Sequence, residues 1–111
     1  MTERERWRQP IRLDRVRQVP RGFGWIDHRL VRDRYVDKCT AEALALYLFL
    51  VTVADAQGVS WWAERTIGER LRLERPVLRA ARDELAGVGL VAYEPPRWQV
   101  LALNTGGDDE L

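Results

Sequence analysis

The sequence predicts a mainly α-helical domain with a small β-hairpin, an α+β arrangement, and three observations carry that expectation. Ala43 to Ala54 is an apolar run of about 12 residues, longer than a buried strand needs, so the β-branched Val51-Thr52-Val53 inside it is overridden by length. Leu78, Ala81, Leu85 and Val88 then recur at helical spacing, which gives a segment from Arg75 to about Gly87 one face to bury. Finally, Leu90–Glu94 and Trp98–Leu103 are two strand-like runs joined by Pro95-Pro96-Arg97.

A chain of 111 residues holds one small domain that can fold without disulfides or metals. Residues 1–22 mix arginines with Pro10 and Pro20 and show no sustained period, so they read as a basic, flexible arm, extended or partly disordered. The domain is expected over 23–104, followed by an acidic flexible tail at 105–111. Asp27 can cap a short helix through Tyr35, with Ile26, Leu30, Val31 and Tyr35 inward and Arg29, Arg32 and Arg34 outward.

Thr40 suits the N-cap of the next helix, which runs to about Ala56. Glu42 lies in its first turn, where the helix dipole favours an anion, and Gly58 lies just beyond its end. This helix is apolar all round and must be covered on more than one side. It is either the centre of the domain or part of a dimer interface, and the short chain favours the first. Gly58-Val59-Ser60-Trp61-Trp62 reads as a turn and a very short strand, in which adjacent tryptophans point opposite ways, one inward and one to the surface. A surface Trp can stack near a nucleic acid, but partial burial under neighbouring loops is the commoner use and is favoured here.

Glu64 to Leu71 makes a further helix with Ile67 and Leu71 inward, and Arg72-Leu73-Glu74 makes a turn with Leu73 plugging the space between helices. Pro76 fits the first turn of the following helix, where its missing N–H is no loss, and Gly87 and Gly89 mark the end. The three-residue Pro95-Pro96-Arg97 connection then makes a short, stiff hairpin with Arg97 at its tip. On the helix from Arg75, the arginines 75, 79 and 82 fall within about 60° of one another, and the apolar stripe is centred about 110° away.

The spacing of Leu71, Leu73, Leu78, Ala81, Leu85 and Gly89-Leu90-Val91 resembles the winged helix-turn-helix superfamily of bacterial DNA-binding proteins, over roughly the last two-thirds of the chain. The segments Trp25–Val31 and Ala43–Val51 also resemble small bacterial winged-helix proteins that occur with mobile elements. The resemblance implies that the helix after the turn enters the major groove with its exposed N-terminal residues reading bases, and that the wing touches the backbone or minor groove. Those positions here are Arg75, Val77, Arg79, Ala80 and Arg82 on the helix and Arg97 on the wing. Glu74 departs from the pattern: many members place Ser or Thr at that cap, and a carboxylate there repels phosphate.

Net charge is only +1, because seven arginines in the first 22 residues, set against Glu3, Glu5 and Asp14, are nearly offset by an acidic end, Asp108-Asp109-Glu110. Lys38 is the only lysine, and since high genomic GC alone gives such a bias, the excess of Arg over Lys carries little weight. Arginine forms two hydrogen bonds to guanine, worth ~1–3 kcal/mol of discrimination, so Arg75 and Arg79, nearest the helix N-terminus, rank above Arg82 as readers of sequence. The competing use of these residues is a solvated face with pairs such as Arg79 and Asp83. Arg65 and Thr66 in the preceding helix join the DNA-binding set. Arg4, Arg6 and Arg8 can follow the minor groove or simply form a soluble tail.

The leading expectation is a cytoplasmic transcriptional regulator that binds duplex DNA, as a possible homodimer. A DNA-binding accessory of a phage, plasmid or transposable element, with a protein partner in replication or recombination, shares its chemistry. An adaptor that contacts a protein through Trp61, Trp62 and Trp98 is the reading from another class. Cys39 has no partner for an internal disulfide and reads as a small buried thiol. One His28 leaves no zinc ligand set, and no nucleophile pairs with it. Gly22-Phe23-Gly24 lacks the Lys-Ser/Thr of a phosphate loop, and the apolar run is well short of the ~20 residues of a membrane span. No enzyme, metal, cofactor or membrane is therefore expected. The charged N-terminus has no signal-like apolar region, which with the lone cysteine points to the cytoplasm.

Overall fold

The helix expected after Thr40 organises the molecule. In the computed structural model, which describes residues 2–18, 21–22 and 24–103, Thr40 is extended and its hydroxyl accepts the N–H of Ala43 at the start of a helix over Ala41–Val53, α3 by chain order. It stops three residues before Ala56. Asp55 is the reason: its Oδ1 accepts the N–H of Gln57 at 2.8 Å and of Val59 at 2.9 Å, an Asx turn that competes with further helix. The helix buries Ala43, Leu46, Tyr47 and Leu50 and is covered by the two helices and the sheet that follow it, which is the central-helix alternative, although Leu48 remains 55 % exposed.

Ahead of α3, the arm begins with α1 over Glu3–Arg8, where an extended or disordered segment was expected. A capping box explains it: Thr2 Oγ1 accepts from Glu5 N–H, and Glu5 reaches back to the N–H of Thr2. Every residue of 2–18 is exposed all the same. A 3₁₀ turn follows at Leu13–Arg15. The helix expected over Asp27–Tyr35 shortens to α2, Arg29–Arg32, because Arg34 takes a left-handed φ of 64° and a 3₁₀ turn occupies Val36–Lys38. Of the four residues expected inward there, Leu30 is buried and Tyr35 half-buried, but Ile26 and Val31 are exposed. Arg29, expected outward, folds back on Asp27 through a bidentate ion pair at 2.7 Å.

Beyond α3, β1 spans Val59–Ser60, α4 Glu64–Leu71 and α5 Arg75–Gly87. Arg72 ends α4 in the left-handed conformation, φ 58°, and Leu73 N–H returns to Gly68 O at 2.9 Å. A Cβ on Gly68 would stand 2.9 Å from the Leu73 carbonyl oxygen, so the turn packs directly on α4. After α5, β2 (Val91–Glu94) and β3 (Arg97–Val100) form an antiparallel hairpin, with Tyr93 opposite Trp98 and Glu94 opposite Arg97. The connection is thus two residues, Pro95-Pro96, rather than three, and Arg97 begins a strand instead of marking the tip.

Strand β1 pairs with β3, which turns the expected hairpin into a three-stranded antiparallel sheet of order β1-β3-β2. Gly58 leads into it with φ +86°, and a Cβ there would meet Val100 O at 2.6 Å, so only glycine lets the two backbones approach. The tryptophan pair points opposite ways as expected, Trp62 packing edge-on against Phe49 and Trp61 facing solvent, but Trp61 stays exposed rather than partly buried under neighbouring loops. Trp98, 1 % exposed, fills the core and donates its indole N–H to Trp62 O at 2.8 Å. The molecule is mainly helical with one small sheet, and no helix among the described residues is long and apolar enough to cross a membrane. The expected acidic tail lies outside the described residues.

Candidate nucleic-acid interface

The face of α5 that carries the arginines is fixed by what its other face buries. Leu78, Ala81 and Leu85 go inward against α3 and β2, which leaves Arg75 and Arg79 exposed on the opposite side near the helix N-terminus. Arg75 has no carboxylate within ion-pairing distance among the described residues. Arg79 does: its Nε stands 3.3 Å from Oε2 of Glu64, the first residue of α4.

Arg82 departs furthest from the expected stripe. Its guanidinium is folded down, 21 % exposed, with Nη1 3.3 Å from Glu64 Oε2 and Nε 3.1 Å from Asp83 Oδ1, and it lies 5.0 Å above the ring of Tyr93. Tyr93 in turn donates to Glu64 Oε1 at 3.4 Å. Burial, and then the Glu64 carboxylate, pushes the Tyr93 phenol above its ordinary value, so this hydroxyl is a firm donor at neutral pH. Glu64, Arg82 and Tyr93 therefore form a clasp joining α4, α5 and β2. Asp83, expected as a partner of Arg79, serves Arg82 instead.

The other expected residues are distributed unevenly. Arg65 is exposed and meets Glu69 at 3.3 Å one turn on, an exposed pair of little energetic weight. Thr66 is half-buried on the same helix. Arg97 pairs with Glu94 at 2.7 Å across the end of the hairpin. Arg4, Arg6 and Arg8 all lie on the exposed α1. Between α4 and α5 runs a groove of about 300 Å³ whose rim brings Arg65, Arg72 and Arg75 together with Glu69 and Glu74.

Two residues of this surface carry no signal at the level of sequence pattern. Arg72 looks like an ordinary turn residue, and its cation joins the groove only because the left-handed cap ends α4 there. Glu64 precedes Arg79 and Arg82 by 15 and 18 residues, and only the packing of α4 on α5 brings them together. Glu74, at the α5 N-cap, is exposed and makes no side-chain capping bond, so its charge faces the approach to Arg75.

Glu84, one turn beyond the arginines, belongs to the frame. Its two oxygens accept the N–H of Thr40 at 2.7 Å and the Thr40 hydroxyl at 2.8 Å, which ties the start of α3 to α5. Beside it, Cys39 is half-buried and its Sγ donates to Tyr35 O at 3.5 Å; burial, and then the Glu84 charge, pushes the thiol up, so it stays protonated and weakly nucleophilic. Among the described residues no group of three or more His, Cys, Asp or Glu is placed to hold a metal ion. No protein-family model matches the chain, and neither a curated protein nor a solved structure matches it.

Proposed function

We propose that the chain is a sequence-preferring duplex DNA-binding protein of the winged helix-turn-helix kind, acting as a transcriptional regulator, with α5 in the major groove and the β2–β3 hairpin against the backbone. The observation that supports it best is the pair Arg75 and Arg79, exposed near the N-terminus of α5 on the face turned away from the core. The helix–turn–helix–hairpin order behind them is the frame such a docking needs. Arg75 and Arg79 are the readers, Arg65 and Arg72 reach phosphates from the α4 side, and Arg97 contacts the backbone from the hairpin. Arg82 has a different part, holding Glu64 and Tyr93 so that α5 keeps its angle to the sheet. The arginines of α1 add contacts without sequence preference.

Selection of duplexes from a random pool by the purified protein at physiological salt tests this reading directly. Enrichment of a motif is the expected result, and a palindromic motif marks a homodimer. Failure to retain any duplex would overturn it. A motif confined to the ends or origin of a neighbouring mobile element would make the protein an accessory of replication or recombination instead. The adaptor reading draws support from Trp61, which is 57 % exposed; Trp98 has no share in it, being wholly buried.

A further inference from the structure

Away from the arginine face, the C-terminal end of α3, the Gly24–Arg29 segment and the residues leaving β3 enclose a cavity of about 480 Å³. That volume falls within the ~300–1,000 Å³ of ordinary small-molecule sites. Val51, Ala54, Val100 and Leu103 supply apolar wall, and Trp25, 78 % exposed, lines it with an indole.

The group that points to a ligand is Tyr47. Its side chain lines the cavity and the residue is 7 % exposed, yet its hydroxyl makes no hydrogen bond among the described residues. No side-chain N or O atom fully closed off from solvent lacks a partner among those residues, so this hydroxyl stays within reach of water, and the cavity that Tyr47 lines is open space beside it. An acceptor that enters exchanges with that water and takes the hydroxyl's hydrogen bond. Charge defines the acceptor further. Burial, and then the Asp27 carboxylate, pushes the Tyr47 phenol up; Asp27 pairs with Arg29 at 2.7 Å and Asp55 also lines the cavity, so the site offers no net positive charge to hold an anion.

We propose that this cavity is a binding site for a small, neutral, aromatic carbonyl compound, its ring against the Val51, Val100 and Leu103 walls and its carbonyl oxygen accepting from the Tyr47 hydroxyl. The site is separate from the α5 face, and its existence does not depend on DNA binding.

The test is a titration of the full chain with 4-fluoroacetophenone, followed by fluorine NMR and by amide shifts, with 4-fluorotoluene as the probe that lacks the carbonyl. Saturable binding of the ketone is expected, with shifts at residues 51–58 and 100–103. Tyr47→Phe, which removes a hydroxyl that bonds to none of the described residues, weakens the ketone by about threefold to tenfold. It leaves the toluene unchanged. Val51→Phe, which fills the cavity from the α3 side, abolishes both. Absence of saturable binding, or equal ketone affinity for the parent and Tyr47→Phe, would overturn the site. So would ketone binding that appears only after residues 104–111 are removed, since the chain's own tail would then be the occupant.

Discussion

Oε2 of Glu64 lies 3.3 Å from Nη1 of Arg82, and both side chains are largely withdrawn from water, at 16 % and 21 % exposure. The same oxygen draws Arg79 to 3.3 Å, but Arg79 is half exposed. One carboxylate thus holds one arginine in the frame and, under the proposed function, competes with DNA for the other.

That competition can be measured. Glu64→Gln removes the carboxylate that holds Arg79 and should raise affinity for a selected site by about twofold to fivefold, the weight of a half-exposed ion pair that no longer has to be broken. Titration of that site with the parent and the variant measures the gain. Unchanged affinity would show that Glu64 does not compete with DNA for Arg79.

Substitutions along α5 should separate readers from frame. Arg75→Ala and Arg79→Ala are expected to lower affinity for a selected site by ~1–3 kcal/mol while leaving stability within about 0.5 kcal/mol. Arg82→Ala should instead lower stability by about 1–2 kcal/mol, because Glu64 is left partly buried with fewer donors. Urea denaturation alongside binding titrations distinguishes the two patterns.

Glu84→Ala removes both acceptors of Thr40 and is expected to cost about 1 kcal/mol, the weight of a helix N-cap whose hydrogen bonds are partly exposed. Glu84→Gln, which can still accept one of the two bonds, should fall between. Equal urea midpoints for the parent and Glu84→Ala would refute the tie between α3 and α5.

Two backbone positions should respond with opposite signs. Gly58→Ala puts a Cβ 2.6 Å from Val100 O at a φ of +86° and is expected to cost more than about 2 kcal/mol. Arg72→Gly relieves a left-handed arginine and should stabilise by about 0.5–1 kcal/mol. Thermal melts of the two variants check both signs.

The guanidinium of Arg29, and then its backbone N–H, hold the Asp27 carboxyl down to about 2. A depressed carboxylate stabilises the fold above its ordinary pKa of about 4, and the contribution is lost as pH falls toward 2. The parent should therefore lose more stability between pH 4 and pH 2 than Asp27→Asn does, as read from urea midpoints across that range.

Local chemistry made much of the fold legible. Thr40 as a cap, the helix Glu64–Leu71, Pro76 in the first turn of α5 and the hairpin strands all follow from short-range rules, and all are present. What escaped depends on contacts distant in sequence. Val59–Ser60 is too short to announce a partner, and only the close approach at Gly58 makes it the third strand. The arginine stripe was visible as geometry on one helix, but Glu64 and Tyr93, which remove Arg82 from it, belong to other elements. Near the N-terminus, the periodicity that placed Ile26 and Val31 inward assumed a helix that Arg34 interrupts.

The burial of Trp98 also gives the protein an optical label of its own. Of the five tryptophans, residues 7, 25 and 61 are open to solvent and to a neutral quencher such as acrylamide, whereas Trp98 is shielded and bonded to the carbonyl of Trp62. Light that survives quenching originates at the junction of β3 with the entry to α4, so opening of the sheet registers there with no added dye.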